Sequence, residues 1–171
     1  MSGVVIADAG PLIALARIEH LSLLPTPYGT VTVPEAVLAE LRLDSDRPGA
    51  RLLSAALGAG VIEARALPPH LASDLAQLSL VLDAGEAAAI LLAEALSCRF
   101  LLIDERRGRA VARRRGVPVV GLAGVLLAAQ RHGLVPSVAP LLAALAEHGY
   151  RLSDSLVREV LRLAGETGAT G

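Results

Sequence analysis

The stretch VVIADAGPLIALARI, residues 4–18, indicates the fold class of this chain. It opens with a short apolar run that is typical of a buried β-strand, and it continues as an apolar helix whose first turn accommodates Pro11. A single carboxylate, Asp8, lies between the strand and the helix. An acid at such a junction can cap the helix or belong to a functional site, so its role depends on what the rest of the chain places beside it.

Strand-like and helix-like patterns alternate along the whole chain. Short apolar runs occur at 30–33, 60–64, 99–104 and 117–121. Helical patterns occur at 83–96 and near 122–132, 138–147 and 154–165. This alternation predicts an α/β fold with a central parallel β-sheet flanked by helices, and with extra helices at the C-terminus. Pro25, Pro27 and the pair Pro68-Pro69 are expected to break helices.

Composition limits the function classes. The chain has 171 residues and a net charge of -1, which fits one domain that does not bind nucleic acid through bulk positive charge. All 16 basic residues are Arg, which excludes a Walker-type loop and phosphatase or receiver sites that need Lys. Cys98 is the single cysteine and the His residues are scattered, so a disulfide framework or zinc site is not expected. We expect a cytoplasmic protein without a membrane segment.

Acidic residues are predicted to gather at one edge of the sheet. Asp8 and Asp104 each end a strand-like run, and the carboxyl ends of parallel strands meet at the edge where ligands bind. Glu40 and Glu86, on helices, are candidates for the same edge, and we expect the four carboxylates to share one or two ions. Carboxylates without His or Cys partners favour Mg²⁺ or Mn²⁺, and such sites hydrolyse phosphodiesters.

A structural role is the alternative for each acid. Asp8 and Asp104 can cap the helices that follow them, and Asp83 and Glu86 have the spacing of a capping box. Asp83 and Glu105 also stay open as further contributors to a metal site.

Six arginines follow Asp104 within residues 106–115. We predict that Arg106, Arg107 and Arg109 contact the phosphates of a nucleic acid, because the guanidinium fork matches phosphate oxygens. The alternative is a solvated helix face, which we favour for Arg113–Arg115.

The order of four segments resembles a known family. VVIADAGPLIALARI, VPEAVLAEL, LDAGEAAAILLAEAL and FLLIDERRGRAVARRRGVPVVG follow one another as in a PIN domain. The likeness is to stand-alone prokaryotic PIN-like proteins related to VapC-type toxins, and the segment GYRLSDSLVREVLRLAGE also resembles that subgroup. The resemblance implies a PIN-like nuclease domain over residues 1–133 and a helical extension over 134–171 packed on it.

The resemblance also implies a function. By position, the family's catalytic and metal-binding acids fall on Asp8, Glu40, Glu86 and Asp104. The implied activity is a metal-dependent ribonuclease, a toxin or toxin-like protein, that uses Mg²⁺ or Mn²⁺ and acts on RNA. The resemblance implies an antitoxin protein as a partner. A homodimer is predicted separately, because the composition is unusually apolar and the helices after Gly121 are rich in Leu and Ala. A catalytically silent scaffold that binds RNA or protein is the alternative.

Overall fold

The computed structural model describes residues 3–167, and these form one α/β domain. Five strands make the sheet: β1 (Val5–Ala7), β2 (Val31–Pro34), β3 (Ile62–Arg65), β4 (Phe100–Leu102) and β5 (Val119–Val120). Ten helices flank it: α1 (Ala9–Arg17), α2 (Pro25–Tyr28), α3 (Glu35–Glu40), α4 (Ala50–Gly58), α5 (Ala72–Leu78), α6 (Ala84–Ala95), α7 (Arg106–Arg114), α8 (Leu122–Arg131), α9 (Ala139–Glu147) and α10 (Asp154–Leu163). The predicted fold class is confirmed.

The sheet is parallel throughout, with the strand order β3-β2-β1-β4-β5. Val5 of β1 pairs with Val31 of β2 on one side and with Phe100 of β4 on the other. After β1 the chain adds β2 and β3 on one side of the sheet. It then crosses to the other side of β1 and adds β4 and β5 there. The topological switch point therefore lies between β1 and β4, and ligands of open α/β sheets bind outside the strand ends at such a point.

Helix α6 packs in the centre of the fold, beside β1, β2 and β4. Its Ala and Leu side chains are buried almost all round the helix, as expected for an internal element. The C-terminal helices join the same hydrophobic core, since Leu145 of α9 is 1% exposed and Val160 of α10 is 3% exposed. The boundary at residue 133 stays a prediction, and residues 1, 2 and 168–171 of the two predicted ranges lie outside the described residues.

One expectation about proline was wrong. Pro25 begins the short helix α2 and Pro27 lies inside its single turn, because proline fits the first turn of a helix, where its missing N–H is not needed. After Pro69 a 3₁₀ turn leads into α5. The sequence analysis did not identify α5, whose Leu75 and Leu78 pack against the core but are only partly buried. No helix among residues 3–167 has both the length and the apolar character to cross a bilayer.

Candidate active site

A cleft of about 510 Å³ lies at the carboxyl edge of the sheet, beside the switch point. Its wall includes six carboxylates, from Asp8, Glu40, Asp83, Glu86, Asp104 and Glu105. The structure thus brings the four predicted acids into one cleft, together with the two that the sequence left open. Asp8 and Asp104 follow the neighbouring strands β1 and β4, and the N–H of Asp8 donates to the carbonyl of Leu102 at 2.9 Å.

Asp8 is a buried carboxylate without a capping role. It is 7% exposed and stands at the N-cap position of α1, yet its side chain accepts no capping hydrogen bond. The third helical residue, Pro11, has no N–H to donate. Oδ1 of Asp8 is buried without a hydrogen-bond partner. Burial, with the charges of nearby carboxylates adding to it and the Ala9 amide partly offsetting it, raises the pKa of Asp8 to about 7.

Asp104 is fixed by two donors. The backbone N–H of Leu122 lies 3.0 Å from Oδ2 and 3.2 Å from Oδ1, and the hydroxyl of Tyr150 donates to Oδ2. Asp104 therefore caps α8. The sequence had suggested that it caps α7. Helix α7 begins at Arg106, so its cap is Glu105, whose Oε2 accepts from the N–H of Gly108 at 2.7 Å.

Glu86 has a structural role and also faces the cleft. Oδ1 of Asp83 accepts from the N–H of Glu86 at 2.8 Å, and Oε2 of Glu86 accepts from the N–H of Asp83 at 3.3 Å, which completes the predicted capping box. Glu86 is only 6% exposed. Burial first, and then the charge of Asp83, raises the pKa of Glu86 to about 7.

Glu40 reaches the cleft from the last residue of α3, and its carboxylate lies against the backbone of Gly85 at the start of α6. A Cβ at Gly85 would stand 2.0 Å from Oε1 of Glu40, so only glycine allows this approach. Desolvation of the carboxylate, followed by the charge of Asp83, raises the pKa of Glu40. The first turn of α6 therefore carries Glu86 and also contacts the carboxylate of Glu40.

The α7 arginines are placed outside the cleft lining. Arg107 donates to the carbonyl of Val81 at 3.2 Å. Arg109 is half-buried and donates to the carbonyl of Ile103 at 2.8 Å, and burial lowers its pKa. Arg115 pairs with Glu94 at 2.8 Å, in line with the structural role favoured for it. Contact of Arg106, Arg107 and Arg109 with RNA stays a prediction.

Sequence reasoning missed two residues of the cleft wall, Tyr150 and Arg151. Both belong to the connection between α9 and α10. The signal was present in the segment GYRLSDSL, which resembled the same subgroup of proteins as the rest of the chain. Its residue types do not resemble a metal site, however, and nothing in the sequence showed that this connection returns to the strand ends.

The donor chemistry of the cleft fits a hard divalent cation. Within residues 3–167 no three His, Cys, Asp or Glu side chains are already gathered as a ligand set for one ion. Mg²⁺ commonly binds through one or two carboxylates and keeps several waters, so it does not need such a set. The orphaned Oδ1 of Asp8, surrounded by other carboxylates, is an oxygen ligand that lacks a protein partner. Asp8, Glu40, Glu86 and Asp104 line this cleft and could hold an ion there.

Comparison with known proteins identifies the family. A family model described as a PIN domain matches residues 4–166, which include every strand and helix of the structure. No curated protein sequence is matched significantly by this chain. The match covers nearly the whole chain and agrees with the parallel sheet and its acidic edge. The chain therefore belongs to the PIN-domain family, and its fold is nuclease-like.

Proposed function

We propose that this PIN domain is a metal-dependent endoribonuclease, which hydrolyses RNA phosphodiesters with Mg²⁺ or Mn²⁺ held by Asp8, Glu40, Glu86 and Asp104. The observation that carries the proposal is Asp8. Its carboxylate is buried at the switch point of the sheet, has one oxygen without a partner, and stands among five other acids. Such an arrangement is costly for folding and is typical of a functional site.

The proposed ligands are held by contacts from several elements of the fold. The β1–β4 pairing fixes the backbone at Asp8, and Leu122 and Tyr150 fix the carboxylate of Asp104. The start of α6 holds Glu86 and supports the carboxylate of Glu40. When bound, Mg²⁺ or Mn²⁺ supplies an activated water and stabilises negative charge on the phosphate. The protein contributes a fixed ligand geometry at a sheltered edge of the sheet.

A toxin or toxin-like role with an antitoxin partner is part of the same proposal, and it rests on the VapC-like order of the sequence segments. We also propose a homodimer. Apolar side chains on the surface support self-association, because Leu80 is 85% exposed and Val81 is 52% exposed on the turn before Asp83. A cytoplasmic location fits an RNA substrate.

A silent PIN-like scaffold is the second candidate. The observation that favours it is that the described acids are not already gathered as a ligand set for one ion. Such a protein would bind RNA or a protein partner without cleaving RNA.

Cleavage of a labelled single-stranded RNA of mixed sequence tests the proposal. Wild-type protein is expected to cut this RNA with Mg²⁺ or Mn²⁺ and to stop when EDTA is added. Asp8→Asn is expected to abolish cleavage, whereas Asp44→Asn, which removes an exposed acid outside the cleft, leaves it intact. RNA binding without cleavage under any of these conditions would support the silent scaffold instead.

A further inference from the structure

A side pocket of about 200 Å³ adjoins the acidic cleft, and Gly10, Ile13, Gly149 and Tyr150 line both. Helix α1 forms one side of this pocket, and the end of α9 with the connection that follows it forms the other. Arg17 and His148 line the side pocket, and Arg151 lines the cleft next to it. We name this surface, defined by Arg17, His148 and Arg151, the basic wall.

The basic wall supplies positive charge where the cleft has little. An RNA phosphate that approaches six carboxylates is repelled, so a polyanionic substrate needs cations beside the acids. Arg151 is the one cationic side chain among the described residues that line the cleft. In the described part of the chain, neither Arg17 nor Arg151 forms an ion pair with a carboxylate. Neither guanidinium is therefore held in a direct pair with a carboxylate of the described residues.

The α7 arginines are less well placed for this task. Arg107 is engaged by the carbonyl of Val81, and Arg109 by the carbonyl of Ile103. Neither residue lines the cleft or the side pocket. Arg109 is half-buried, as Arg17 is, but its guanidinium is already engaged by a backbone carbonyl.

We propose that the sugar–phosphate backbone of single-stranded RNA runs along the basic wall, with phosphates contacted by Arg151 and Arg17 and with His148 beside them. This inference rests on the proposed function for its choice of ligand. It places the substrate on the α1 and α9–α10 side of the cleft, away from α7. Guanidinium groups suit this contact because their paired N–H donors match phosphate oxygens.

The experiment measures binding of a short fluorescein-labelled single-stranded RNA by anisotropy, over a series of salt concentrations and with Mg²⁺ present. The full chain carries Asp8→Asn as a background that prevents cleavage. Arg151→Gln and Arg17→Gln are each added to this background. Arg107→Gln tests the α7 surface, and Arg114→Gln, on the exposed last turn of α7, is the control with the same change of charge. A thermal melt of each variant reports folding.

The slope of log K against log salt is expected to become shallower by about 0.7 for each phosphate contact removed from a single strand. We expect this change for Arg151→Gln and Arg17→Gln, and no change for Arg114→Gln. If Arg17→Gln does not fold, Arg151, which is exposed, decides the question. An unchanged slope for Arg151→Gln, or a larger change for Arg107→Gln, would overturn the inference.

The two proposals fail in different ways. Wild-type cleavage of RNA together with an unchanged slope for Arg151→Gln would refute RNA binding by the basic wall and would support the ribonuclease activity. Absence of cleavage by the wild type together with the expected change of slope would refute the ribonuclease activity and would support RNA binding by the basic wall.

Discussion

The hydroxyl of Tyr150 donates a hydrogen bond to the carboxylate of Asp104, and the two residues lie 46 positions apart in the sequence. Asp104 follows β4, whereas Tyr150 lies in the connection between α9 and α10. The C-terminal part of the chain thus supports an acid of the candidate site directly. Burial, followed by the charge of Asp104, raises the pKa of Tyr150, so the phenol keeps its proton and acts as a donor.

Tyr150→Phe should weaken metal binding. The hydroxyl that orients Asp104 is lost while the ring stays, and loss of such a supporting contact typically reduces metal affinity by roughly 10–100-fold. We expect a weaker Kd for Mn²⁺, measured by titration calorimetry. Tyr28→Phe, whose ring packs edge-on against Phe100 in another part of the fold, is the matched control. Equal Mn²⁺ affinity in Tyr150→Phe and wild type would show that the hydrogen bond does not position a ligand.

Asp8→Asn should not destabilise the metal-free protein. Asp8 caps no helix, and its negative charge is disfavoured by burial and by its acidic neighbours. We therefore expect the same or a higher Tm without metal, because relieving such strain usually stabilises a fold. Mn²⁺ should raise the Tm of the wild type, because it binds only the folded form. It should raise the Tm of the mutant much less. A mutant that melts lower, with neither protein responding to Mn²⁺, would make Asp8 a purely structural acid.

The stability of the metal-free protein should fall as pH rises from about 4 to about 7. The pKa values of Asp8 and Glu86 are raised from 3.8 and 4.5 to about 7 in the folded protein. Within this window the folded state binds more protons than the unfolded state, so the free energy of unfolding decreases with pH. Urea unfolding across this range measures the slope. Asp8→Asn should flatten it, and a wild-type stability that rises over the same interval would contradict the raised pKa values.

Gly85→Ala should displace Glu40 without unfolding the protein. The new Cβ would collide with the flexible end of the Glu40 side chain, which can turn away into solvent. We expect a small change in Tm, since Ala favours a helix over Gly, and a clear loss of Mn²⁺ affinity and of RNA cleavage. Gly58→Ala on α4, where a Cβ meets nothing within 4 Å, is the control. Unaltered Mn²⁺ binding in Gly85→Ala would remove Glu40 from the ligand set.

Sedimentation should show a homodimer at micromolar concentration. The exposed Leu80 is an apolar side chain that self-association would cover. Leu80→Asp should shift the protein towards the monomer, and Ser73→Asp on the neighbouring helix, which adds the same charge at an exposed polar position, serves as the control. A wild-type protein that sediments as a monomer at this concentration would exclude the proposed dimer.

The sequence determined the fold class and most of the elements. The apolar run 4–7, the alternation of strands and helices, and the helix at 83–96 follow from local pattern, because burial selects apolar residues with the period of the element. The positions of Asp8 and Asp104 at one edge follow from topology, since both end parallel strands. Glu40 and Glu86 were candidates for the same edge from their places on nearby helices, and the family resemblance pointed to the same two residues.

The tertiary structure decided which acids cap helices and which residues complete the cleft. Glu105, and not Asp104, caps α7, whereas Asp104 accepts from the N–H of Leu122 at the start of α8. The contacts of Glu40 with Gly85 and of Tyr150 with Asp104 join segments that are far apart along the chain. Local patterns report the burial and the backbone preference of neighbouring residues, whereas these contacts depend on how the helices pack against the sheet. Local patterns could not predict that Arg151 lies beside the acids, because its position depends on how the connection between α9 and α10 packs.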